Sequence, residues 1–292
     1  LVNEVRVRVG DAIRRSLGAT EDDLGEYTAG SGDPGLFGPD SPVWAVHGDL
    51  PSMLIGGFAA LMTQTLHPLA MAGVAAHSNY REDPTGRLRR TARFIAGTTF
   101  GSTAFADQLV AEVKAVHKRV RGIAPDGRPY SADDPDLLTF VHVSEVASFL
   151  AGYQRYAPRP LLRAEKDRYF DEVAVVAEAL GARNVPHSVA EVRAYEREIA
   201  SELVRTDQAS EALAFLMRST SSEIGDQIAH RVLIAAAIEL LPERVRSMIR
   251  PGSSDLLQRS FARSGGTTFS LAVRWAIGPS VVRELALSRI AA

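Results

Sequence analysis

The chain of 292 residues contains no cysteine. That absence excludes disulfide scaffolds, thiol nucleophiles, Cys-ligated zinc, iron–sulfur clusters and thiolate-bound haem. An excess of either charge is also missing. Thirty-three Lys and Arg against 35 Asp and Glu give a formal charge of −2, which argues against nucleic acid as a partner and against an acidic solvating tail. No Walker phosphate loop, Gly-x-Ser-x-Gly elbow, His-Glu-x-x-His or pair of Glu-x-x-His units occurs, so the zinc-protease and di-iron bundle readings fall away. Gly30-Ser-Gly-Asp-Pro-Gly35 has the glycine spacing of a dinucleotide loop but follows no strand pattern, and reads as a plain loop. The chain starts at Leu1 without a basic stretch leading into an apolar run. The expectation is a cytoplasmic protein whose native start is missing.

What is present suits a folded globule: 46% hydrophobic and 23% charged residues, over a length that can bury a substantial core. Val5, Val9, Ile13 and Leu17 recur at helical spacing, and an acidic, glycine-rich loop follows over 18–40. The longest apolar stretch, Leu50 to Ala76, is interrupted by Gly56-Gly57, Gln64, His67 and Pro68. It predicts two buried helices meeting at a kink, with no transmembrane span. Helices are predicted from Asp83 to about Ile95 and over 102–121, 135–156, 163–180, 188–205, 209–218, 221–240, 242–249 and 253–263. A last one covers 267–291, broken at Gly278-Pro279, and a small hairpin surrounds Asp126-Gly127. The fold class is all-α: one domain over 1–292 with about ten helices. Residues 1–39 form an N-terminal helix and loop, and 251–292 form C-terminal helices.

Charge is uneven along the chain. Residues 1–40 carry 4 Arg against 8 acids, and 242–292 carry 8 Arg against 3 acids. This predicts two solvated faces that pair with each other or with a neighbouring subunit. Glu223, Asp226 and His230 share one helical face and read as a hydrogen-bonded row rather than a metal site.

Two segments carry more chemistry. In Asp83-Pro-Thr-Gly-Arg-Leu-Arg-Arg-Thr-Ala-Arg-Phe94, the residues Arg87, Arg90 and Thr91 lie at i, i+3 and i+4, so guanidinium and hydroxyl share a stripe. In Ala111–Gly122, the residues Val113, Val116, His117 and Val120 form an apolar stripe that turns the His117 imidazole inward.

Together with the run from His67 to Ser78, these segments are similar to one known family. The shared motifs are Asp83-Pro-x-Gly-Arg87-x-x-Arg90-Thr91, Val113-x-x-x-His117-x-x-Val-Arg-Gly and Gly127-x-x-Tyr-x-Ala-x-Asp-Pro135. A later stretch, Lys166-Asp-Arg-Tyr-Phe-Asp-Glu, then Leu180-Gly and Val185-Pro, fits the same pattern. Over about residues 40–250 the chain resembles the oxygenase MpaB and rubber oxygenase (latex-clearing protein) catalytic-domain family.

The resemblance implies a helical fold with one haem b in a slot between helices and dioxygen as cosubstrate. The best-known chemistry is cleavage of isoprenoid C=C bonds. Carried over by motif, the iron ligand falls on His117, and the distal arginine and threonine fall on Arg87 and Thr91. A neutral imidazole on an apolar stripe suits a fifth ligand. Arg87, with Arg90 beside it, could pair a propionate or a negatively polarised oxygen, and Thr91 could donate to the same oxygen.

Two departures stand out. Arg90 replaces the lysine typical before the threonine, and arginine stays charged. Residues 64–71 contain no carboxylate where rubber oxygenases carry a distal acid, and His67 is the titratable group nearest that place. It serves either the cofactor or the helix kink before Pro68. The implied partner is an apolar small molecule; peripheral membrane contact stays open, as do oligomeric state and substrate. A haem protein without catalysis and a helical interaction protein without cofactor remain alternatives at this point.

Overall fold

The structure is a computed structural model that describes residues 24–219, 221–250 and 256–292. The amphipathic pattern of residues 1–17 lies outside the described residues. Thirteen helices and one two-stranded hairpin make up the described chain, so the all-α reading holds. They are α1 (Pro42–His47), α2 (Leu50–Thr65), α3 (Pro68–His77), α4 (Pro84–Phe100), α5 (Thr103–His117), α6 (Pro135–Tyr156) and α7 (Arg163–Leu180). Then follow α8 (Val189–Ile199), α9 (Asp207–Met217), α10 (Ile224–Leu240), α11 (Glu243–Ile249), α12 (Leu256–Ile277) and α13 (Val281–Ala291). Strands β1 (Arg121–Ile123) and β2 (Pro129–Ser131) pair antiparallel, and Gly127 supplies the positive φ of 87° that their turn needs.

The apolar run from Leu50 is cut as its composition predicts. It forms α2 and α3, and His67 caps α3 ahead of Pro68 at N1. No helix among the described residues is long and apolar enough to cross a membrane.

The centre of the fold is the packing of α2 on α6. Glycines let these two backbones meet: a Cβ on Gly56 would lie 2.6 Å from the Ser148 carbonyl oxygen, and one on Gly152 2.6 Å from that of Ser52. Helices α9, α10 and α11 close one side of this pair, where Ile55, Met62, Leu213, Ile234 and Ala237 form the main core. Helices α1 and α7 close another side, around Val43, Val46, Val146, Tyr169 and Phe170. Burial of these side chains is the main favourable term for the fold.

Two expectations need correction. The glycines of Ser264-Gly265-Gly266 do not interrupt α12, which runs unbroken to Ile277. They permit close packing instead: a Cβ on Gly266 would sit 2.7 Å from the Tyr156 ring, and one on Gly265 3.3 Å from Val232. The arginines beyond residue 242 do not form a solvated face either. Arg246 and Arg289 are buried, Arg274 pairs with Asp49, and Arg259 and Arg263 turn to a buried Glu239. Interior carboxylates and carbonyls draw these guanidiniums inward because each buried acceptor needs a donor.

Candidate functional site

Helices α4 and α5 form an antiparallel hairpin. Asp83 starts α4 by accepting from the Gly86 amide at 2.8 Å, and Ser102 starts α5 by accepting from Phe105. Near the turn the two legs meet tightly, Gly97 lying against Leu109 and Phe105. Arg93 then reaches Glu112 at 3.3 Å, which sets the register. His117 is the last residue of α5, and Arg87 and Arg90 lie on the first turns of α4, so all three stand toward the open end of the hairpin.

The hairpin packs on α1, α7 and α13, whereas neither of its legs packs closely on α2 or α6 among the described residues. Its open end is lightly covered. Leu88, Arg89, Arg90 and Thr91 are all exposed around the α4 axis, and only Val113 and His117 are partly covered on the last turns of α5. The predicted apolar stripe is therefore only half sheltered, since Val116 is 50% exposed.

His117 is half-buried, and neither ring nitrogen has a hydrogen-bond partner among the described residues. Burial pushes its pKa below the usual histidine value, opposed by the Asp133 carboxylate, so the imidazole is neutral. Arg87 is partly withdrawn from solvent with its guanidinium 5.9 Å over the Tyr80 ring, and no carboxylate among the described residues pairs with it. Burial lowers its pKa, which weakens its hold on a proton without discharging it. Arg90 and Thr91 share Arg87's stripe but stand in solvent, Arg90 at 3.6 Å from Asp83.

His67 is buried. Its Nδ1 accepts from the Ala70 amide at 3.4 Å, and its ring lies 4.6 Å from that of Phe140. This is the helix-kink role. His77 meets the Tyr130 hydroxyl at 3.2 Å. Of the row on α10, His230 contacts the Leu216 carbonyl oxygen at 3.1 Å and Asp226 accepts from Ser221.

Helix α6 carries two further groups that the motifs do not include, His142 and Glu145. Both are surrounded by protein, yet a water molecule could still touch part of each side chain, and neither has a hydrogen-bond partner among the described residues. Burial raises the Glu145 pKa to about 7; burial first, then the His187 charge, lowers His142 to about 4. The sequence signal was two ionisable residues, i and i+3, in the stretch Leu137–Leu150 of a core helix, which holds no other ionisable side chain.

His47 on α1 adds a third interior imidazole. Its Nδ1 lies 2.8 Å from the Thr99 hydroxyl and its Nε2 3.2 Å from the Tyr169 hydroxyl. Tyr169 donates to the Val146 carbonyl at 3.3 Å. That bond assigns the His47 proton to Nε2 and makes Nδ1 an acceptor from Thr99. Burial, then the neighbouring His142, lowers the His47 pKa to about 3.

The arrangement offers one neutral nitrogen ligand, one cation without a counterion and one carboxyl close to half-ionised at neutral pH. The catalytic-domain model described as ER-bound oxygenase mpaB/B'/Rubber oxygenase matches residues 44–274. The chain belongs to this family of oxygenase catalytic domains. Neither a curated protein nor a solved structure matches the chain. Every motif residue of the hairpin, Arg87, Arg90, Thr91 and His117, falls within the matched region.

Proposed function

We propose that this oxygenase uses haem b, held through His117, and acts with dioxygen on an apolar small molecule, with cleavage of an isoprenoid-type C=C bond the foremost candidate reaction. The observation that carries the reading is the His117 ring, neutral, half-buried and without a partner for either nitrogen. A neutral, partly sheltered imidazole with both nitrogens free fits a ligand to metal. Arg87 fits the same group because a withdrawn guanidinium without a counterion suits a propionate carboxylate. When bound, haem supplies dioxygen activation.

The protein residues would do the rest. His117 holds the cofactor, and Arg87 fixes its orientation or meets negative charge as it develops. Thr91 would donate a hydrogen bond to the same oxygen, and Arg90 would add a cation at the rim. Residues 64–71 contain no acid. Glu145 is the carboxyl available to take or return a proton, and its pKa near 7 matches that task at neutral pH.

An absorption spectrum of the purified protein tests the reading. Bound haem gives a Soret band near ~400 nm. His117→Ala is expected to abolish it while helical circular dichroism stays intact. Unchanged haem content in that variant would place the ligand elsewhere and sink the assignment. Oxygen uptake with isoprenoid substrates then tests catalysis, and a haem-loaded protein with no uptake on any of them would refute the oxidative step.

A further inference from the structure

A second pocket, of about 590 Å³, opens between α6, α10, α11 and α12. Gln154, Arg155, Glu239, Arg246, Arg259 and Arg263 line most of it. Three guanidiniums converge on the Glu239 carboxylate, whose side chain is only 1% exposed. Arg263 meets Oε1 at 2.6 Å, Arg259 meets the same oxygen at 3.4 Å, and Arg155 approaches Oε2 at 3.9 Å.

The pairing leaves loose ends. Glu239 Oε2 accepts no hydrogen bond, and Arg259 Nε donates none, although both atoms are buried. Arg246, itself buried, spends its donors on Glu243 and the Leu241 carbonyl. Among the described lining residues, four guanidiniums face two carboxylates, an excess of two positive charges in a concave site.

We infer that this pocket binds a hydroxyl-bearing phosphomonoester. An ionised phosphomonoester carries about −1.5 to −2 charges at pH 7, which matches the excess. Its oxygens suit planar guanidinium forks, here the exposed edges of Arg155, Arg259 and Arg263. Glu239 Oε2 needs a donor, and a ligand hydroxyl supplies one that inorganic phosphate lacks in its dianionic form. The volume is that of a small-molecule site and far exceeds a bare anion. The site lies on the second half of α6, outside the hairpin chemistry, and does not depend on the cofactor assignment.

Titration calorimetry on the whole chain tests it with ribose 5-phosphate, ribose, inorganic phosphate and gluconate. Ribose 5-phosphate should bind saturably with Kd below about 1 mM, ribose should not bind, and the other two should bind more weakly. Arg259→Gln and Arg263→Gln, both at partly exposed positions, should each weaken it at least about tenfold with unchanged circular dichroism. Glu239→Gln should erase the preference for ribose 5-phosphate over inorganic phosphate. Gluconate binding as tightly would overturn the phosphate assignment. Lack of saturation at millimolar ligand, or binding indifferent to both arginine variants, would overturn the site.

Discussion

Arg274 grips both carboxylate oxygens of Asp49, Nε to Oδ1 and Nη2 to Oδ2, each at 2.7 Å. Asp49 stands at the N-cap position of α2, and the same Nη2 also donates to the Tyr156 carbonyl at the end of α6. One side chain of α12 thereby locks the two central helices at one end. Because the pair is mostly sheltered, losing one partner strands the other. Arg274→Met is expected to cost roughly 3 kcal/mol, with Arg274→Lys costing less. Urea denaturation measures both, and a methionine variant as stable as the parent would show that the fork contributes nothing.

Gly56 tests the central packing. An added methyl would meet the backbone of Ser148 and Phe149 at 2.6–3.0 Å, atoms that cannot swing aside. Gly56→Ala should therefore destabilise by roughly 1–3 kcal/mol, despite alanine's better helix propensity. A rise in Tm would mean that α2 and α6 can move apart at little cost.

The interior histidines set an acid limit. Folded His47 and His142 hold pKa values of about 3 and about 4 against an ordinary 6.5, so the unfolded chain binds more protons below neutrality. Stability should fall as pH drops from 6.5 toward 3. His47→Gln should flatten part of that slope in chemical denaturation series, and a slope identical to the parent's would refute the neutral, buried assignment.

Glu145 works in the opposite sense. Its folded pKa of about 7 lies above the ordinary 4.5, so the folded state favours the protonated form. Its contribution is full below pH 4.5 and is lost as pH rises through 7. Glu145→Gln should gain on the parent across that window, by at most ~3 kcal/mol. If instead the difference is constant with pH, the carboxyl is ionised throughout and cannot serve as the proposed acid–base group.

The helices were legible because their boundaries rest on local chemistry. Asp83, Ser102 and Asp134 cap, Pro68, Pro84 and Pro135 stand at the first helical positions, and Gly127 and Gly278 take positive φ. The family was legible through motif order. What pattern could not show was pairing over distance. Arg259 and Arg263 look like any exposed helical arginines until α10 brings Glu239 beside them. Likewise Ser264-Gly265-Gly266 looks like a break until Tyr156 occupies the space that side chains would need. Glu145 resembles a surface acid by type, and only the packing of α6 shows that it is buried.

Arg289 lies near the end of α13, yet its guanidinium donates to the carbonyls of Tyr27, Asp33 and Phe100 and reaches that of Gly101. Those acceptors belong to the acidic N-terminal loop and the turn between α4 and α5. During synthesis they are made long before their donor emerges from the ribosome. The hairpin thus waits with unmet carbonyls until α13 has been made, and α13 then latches the loop to the turn.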